Sequence, residues 1–132
     1  MDTVALELKL LAAAVIVGLV QLGWASFAAR GQQNLKWAAG PRDDPMPITG
    51  VAARLDRAFW NFMETFPFFA AAVLAAVLAG KTGTLTLWGA ALYVIARALY
   101  VPLYASGIPR IRTLVWVVSL VGVIMVVAAL FT

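Results

Sequence analysis

Apolar residues in this chain come in long runs, not in the alternation of a half-buried strand or the stripe of a surface helix. One run extends from about Leu10 to Ala29, broken only by Gln21 and Ser26. A second, from about Ala58 to Gly80, holds Asn61 and Glu64. A third, from about Thr84 to Ala105, holds Arg97, and a fourth, from about Thr113 to Phe131, has no charge at all. Each is close to the ~20 residues a helix needs to cross hydrocarbon. With their flanks they predict spans at about 5–29, 54–80, 84–105 and 109–131. The fold class is therefore all-α, an integral membrane four-helix bundle occupying one domain, residues 1–132.

The breaks between runs agree. Gly31, Gly40, Pro41, Pro45, Pro47 and Gly50 mark residues 30–53 as the one sizeable loop. Lys81-Thr82-Gly83 reads as a tight turn, and Ser106-Gly107-Ile108-Pro109 as another, with Pro109 suited to start the last helix. A cleaved signal peptide is the competing reading of the first run. Asp2 and Glu7 precede a single Lys9 there, the wrong sign for such a leader, and the run is long for a signal core. The Ala-rich segment from Ala70 to Ala79 suits close helix packing in a bilayer.

Composition supports lipid as the solvent. Hydrophobic residues make up 64% and charged residues 12% of the 132, with mean hydropathy +0.93. A soluble fold of this size has no means of covering so much apolar surface. The net charge of +4 fits a basic membrane face meeting anionic lipid or an anionic small molecule better than it fits nucleic acid. Arg30, Lys36, Arg42, Arg54, Arg57, Arg110 and Arg112 lie by the first and third connections, while Lys9 and Lys81 lie on the other side. The positive-inside rule then places the 30–53 loop and the 106–109 turn in the cytoplasm and both termini outside it.

There are no cysteines and no histidines. Disulfides, thiolate nucleophiles and His-based acid–base or metal sites are excluded, and no metal is expected. Of the six acids, Asp2, Glu7, Asp43, Asp44, Asp56 and Glu64, only Glu64 lies deep in an apolar run. Chemistry must rest on Arg, Tyr, Asn, Glu and a nucleophile brought by a ligand.

Two polar stripes carry that chemistry. Arg57, Asn61 and Glu64 stand at i, i+4 and i+7, on one face of the second span. A carboxylate roughly 10 Å deeper than Arg57, at 1.5 Å per residue, needs a partner or a wet cavity. On the third span Tyr93, Arg97, Tyr100 and Tyr104 form a polar-aromatic stripe. An interfacial tyrosine belt explains Tyr104 but not Arg97, two turns inward. The chain leaves the bilayer on one side at the start of the second span and the end of the third. The stripes are thus expected to face each other, with Glu64 and Arg97 at similar depth and paired directly or through a water or ligand. On the last span the face of Arg110 continues through Leu114, Val117 and Val121 and reads as lipid-facing, whereas that of Arg112 continues through Trp116 and Ser119 and reads as inward.

The segment RLDRAFWNFMETFPFF, from Arg54 to Phe69, contains R-x-x-x-N-x-x-E followed by Pro67. The segment ARALYVPLYASGIPRIRTLVW, from Ala96 to Trp116, contains R-x-x-Y-x-x-x-Y and a downstream Arg. Together, in a four-span chain of this length, they resemble the MAPEG family, membrane-associated proteins in eicosanoid and glutathione metabolism. That resemblance covers essentially the whole chain. It implies a homotrimer that binds glutathione between protomers and activates its thiol for attack on lipophilic electrophiles, as a transferase or peroxidase in detoxification. It also implies roles: Arg54 and Arg57 for glutathione carboxylates, Asn61 and Glu64 for the peptide and its ammonium, Tyr100 and Tyr104 in the pocket wall. Arg97 joins this glutathione-binding set, Arg30 reaches a neighbour's site, and Arg112 stabilises the thiolate as the catalytic residue. Thr65 stands where some members carry Tyr, a departure that removes one expected ligand contact.

Two other functions stay open on the residues alone. A small multidrug-type exporter also has four spans and an intramembrane acid, although it keeps that acid in the first span. A membrane protein that binds but does not turn over would keep the same pocket.

Overall fold

The computed structural model describes residues 4–132, which form five helices: α1 (Leu6–Arg30), α2 (Leu35–Ala39), α3 (Gly50–Leu78), α4 (Thr84–Ala105) and α5 (Pro109–Ala129). Among the described residues there is no strand. Helices α1, α3, α4 and α5 are each long and apolar enough to cross a membrane. Their outward faces carry exposed Leu19, Phe27, Phe68, Leu78, Trp88, Ile95, Leu114 and Ile124, an arrangement that only lipid or another apolar partner solvates. The protein is an integral, multi-pass membrane protein.

The connections follow from local chemistry. Gly80, at φ +69, ends α3 with the N–H of Lys81 reaching back to Ala76 O. Gly107, at φ +77, does the same for α4. Pro109 opens α5, where its missing N–H costs nothing. Pro67 and Pro102 lie inside α3 and α4 without ending them. The loop expected over residues 30–53 contains the short α2, capped by the Asn34 side chain accepting from the Trp37 N–H at 2.7 Å. Gln32 fixes its far end, accepting from the Thr49 N–H and donating to Thr49 O.

Helices α3 and α4 each pack against the other three spanning helices, and α4 runs most closely along α5. Gly89 and Gly122 let the last two backbones touch. A Cβ on Gly89 would lie 2.7 Å from Gly122 O, and one on Gly122 would lie 2.5 Å from Gly89 O. In the interior Phe69 stacks on Tyr93 at 4.0 Å between centroids, and Thr65 Oγ1 hydrogen-bonds Tyr93 Oη at 2.9 Å. At the same end as the glycine pair, Thr86 Oγ1 accepts from the Gly83 N–H and donates to the buried Glu7 carboxylate. That contact ties α1 to the first turn of α4 and satisfies a donor at its start.

Candidate functional site

At the opposite end, α3, α4 and α5 surround a cavity of about 450 Å³. The helical period of α3 aims Arg57, Trp60, Asn61 and Glu64 into it from successive turns. Tyr100 and Tyr104 enter from α4, and Arg112, Thr113 and Trp116 from α5. The two stripes expected to face each other do so across this space in part: Arg57, Asn61 and Glu64 face Tyr100 and Tyr104, while Tyr93 and Arg97 are buried in the bundle.

Tyr104 organises the cations. Arg57 Nε donates to Tyr104 Oη at 3.1 Å, and its Cζ lies 5.8 Å from the Tyr104 ring centroid. Arg112 Cζ lies 4.5 Å from the same centroid. Both distances are within the ~6 Å at which a ring face attracts a cation. Tyr100 meets Tyr104 edge-on, with centroids 5.5 Å apart at 62°. Asn61 Oδ1 and Trp116 Nε1 are buried without a hydrogen-bond partner. The wall thus offers two guanidinium forks and one carboxylate, Glu64. That set suits a ligand with more than one anionic group and one cationic group.

Six of the nine expected site residues, Arg57, Asn61, Glu64, Tyr100, Tyr104 and Arg112, meet in this cavity. The other three stand elsewhere within one chain. Arg30, the last residue of α1, donates to Gln33 Oε1 at 3.3 Å and lines a separate cavity of about 410 Å³ with Asp56 and Trp60. Arg54 Nε donates to Ala105 O at 2.9 Å and holds the end of α4 against the start of α3. Arg97 is buried in the bundle, its Cζ 4.2 Å from the Tyr100 ring centroid.

The direct Glu64–Arg97 ion pair expected from their depths is not formed. None of the three Arg97 nitrogens has a hydrogen-bond partner, and Glu64 is on the exposed side of α3. Similar depth is not the same azimuth: Arg97 turns inward under Tyr100, while Glu64 faces the cavity. Arg110 is exposed and does not line the cavity; the half-buried Arg112 does. Thr65 points away from it, toward Tyr93. Trp60 and Thr113 are wall residues that the motifs did not single out. Trp60 was legible through its place one turn from both Arg57 and Glu64, and Thr113 only through its neighbour Arg112. Among the described residues no group of His, Cys, Asp and Glu is arranged to hold a metal ion.

The model of the MAPEG family matches residues 10–132, nearly the whole chain. No curated protein and no solved structure matches it.

Proposed function

The chain belongs to the MAPEG family, and on that premise we propose that it is a membrane-bound glutathione transferase or peroxidase. The observation that carries this is the pairing of Arg57 and Arg112 around Tyr104, with Glu64 in the same wall. Glutathione has two carboxylates, one ammonium and a thiol. Arg57 binds a carboxylate with its planar fork, Glu64 takes the ammonium, and Asn61 and Tyr100 hold the peptide. Arg112 sits beside the thiol. A thiol has a reference pKa of about 8.5, and a neighbouring guanidinium in a low-dielectric site favours its thiolate. The thiol proton passes to solvent. The thiolate sulfur then bonds the electrophilic carbon of a lipophilic substrate arriving from the bilayer, and the leaving group departs as an anion.

Two assembly features belong to the same proposal. The protomers form a homotrimer in which Arg30, remote from its own chain's cavity, faces a neighbour's. The 30–53 loop and the 106–109 turn are cytoplasmic and both termini are outside, on the strength of the basic-residue asymmetry. Reporter fusions at Thr132 and in the 81–83 turn should both read outside; a cytoplasmic reading at either overturns the orientation. An exporter reading is disfavoured because Arg57 and Arg112 share the cavity with Glu64, a poor setting for a carboxylate that must trade protons for cationic drugs.

The test of function is conjugation by purified protein in detergent, with glutathione and an aryl chloride. Saturable glutathione dependence, shifted to roughly thirtyfold higher glutathione in Glu64→Gln, is expected. Glutathione binding without turnover would leave a binding protein, and no binding would remove glutathione from the account.

A further inference from the structure

We propose that Arg97 is a positioning residue: a buried guanidinium that fixes Tyr100, and through it Tyr104, in the wall against which the anionic ligand binds. The ligand's identity rests on the glutathione reading above; the geometry does not.

Arg97 is 1% exposed, and its Nε, Nη1 and Nη2 lack acceptors. A guanidinium does not shed its charge in a protein. A charge stripped of water inside a spanning helix is costly and marks a functional position by default. The surroundings of Arg97 are aromatic. Its Cζ is 4.2 Å from the Tyr100 centroid and 5.8 Å from that of Phe62. A cation over a ring face is attracted by the ring quadrupole, more strongly where water is absent.

The contact does not stop at Tyr100. That ring is 3% exposed yet lines the cavity, so it stands between Arg97 and the ligand space. It meets Tyr104 edge-on at 5.5 Å, and Tyr104 in turn carries Arg112 at 4.5 Å and the hydrogen bond from Arg57. A cation–ring–ring–cation series therefore runs from the bundle interior to the cavity. Edge-to-face contact orients the two rings, and the cation at the inner end fixes the plane of the first. The Tyr100 hydroxyl is thereby held in one direction before the ligand arrives, which lowers the ordering cost of binding. Arg97 thus acts on the ligand without touching it.

The test uses the full chain in detergent with fluorotyrosine at its three tyrosines, Tyr100→Phe assigning one 19F line. Arg97→Gln is expected to shift and broaden the Tyr100 line and to weaken glutathione binding about tenfold. Arg97→Lys keeps the charge but not the planar stack; it should move the line less and weaken binding about threefold. On a Tyr100→Leu background, Arg97→Gln should add less than about threefold, because its route to the ligand is already gone. Fully additive losses, or an unmoved Tyr100 line in Arg97→Gln, overturn the proposal. If Arg97→Gln does not fold, Arg97→Lys decides: an unmoved line with unchanged affinity overturns it. Failure of the wild type to bind glutathione would sink the functional reading alone, and the fluorine spectra would still decide the role of Arg97.

Discussion

At Gly89 and Gly122 the backbones of α4 and α5 touch, whereas at Tyr104 and Arg112 the same two helices are kept apart by large side chains around a cavity. The first end is dry and closed. Its polar atoms, Glu7 and Thr86, satisfy each other. The second end is open and rich in charge, and Arg97, Asn61 and Trp116 are left with unpaired buried atoms there. The contrast separates the end that carries close packing from the end proposed to bind ligand. Close packing without a hydrophobic drive holds helices together in lipid, so small residues matter at the closed end. Preorganised, incompletely paired polar groups suit ligand recognition, the role proposed for the open end, where the Arg54–Ala105 hydrogen bond also ties α3 to α4.

The largest expected effect is at the closed end. Gly122→Val puts side-chain atoms into Gly89 O and the Tyr93 backbone, neither of which can move alone. Overpacking of about 3 kcal/mol or more is expected, seen as a lowered thermal midpoint in detergent or as loss of folded protein. A wild-type midpoint would mean the backbone contact is not what closes this end. Next is Glu64→Gln, expected to weaken glutathione binding by about 2 kcal/mol, the scale of a charged hydrogen bond, with the midpoint unchanged. Loss of folding there would blur the division between the two ends.

Arg112→Ala should follow, slowing turnover about tenfold through a bound thiol whose pKa rises once the cation is gone. Thiolate absorbance in the ultraviolet should then appear at higher pH than in the wild type. Arg110→Ala, on the exposed face, should leave both unchanged; the reverse pattern would move the role to Arg110. The smallest effect belongs to Thr65→Val, which removes the hydroxyl bonded to Tyr93 and should cost about 1 kcal/mol of stability. Altered glutathione affinity in that variant would contradict the placement of Thr65 away from the cavity.

Much of this was legible in the sequence because lipid imposes a simple code. Long apolar runs gave helices, and polar residues within them, being costly, stood out as Arg57, Asn61, Glu64, Arg97 and Tyr100. The spacing also separated Arg112 from Arg110, since adjacent alternate residues on a helix point to different faces. Azimuth across a wide stripe was not legible. Arg97 and Tyr104 belong to one stripe on α4, yet one turns into the bundle and the other into the cavity, because the α3 neighbours differ: Phe62 beneath, Arg57 above. Arg54 entered as a ligand contact through the family resemblance, and local spacing did not reveal that its Nε donates to the carbonyl of Ala105 at the end of α4. The short α2 was hidden in a loop rich in Gly and Pro, where one Asn34 cap and the Gln32 contacts decide the path.

The central claim, that the charged cavity between α3, α4 and α5 binds glutathione, is tested most directly by calorimetric titration of the purified protein beside Glu64→Gln in the same detergent. Saturable binding with a Kd of about 1 mM or tighter is predicted for the wild type, weakened roughly thirtyfold by the substitution. No saturable heat in the wild type, or equal affinity in both proteins, would contradict it.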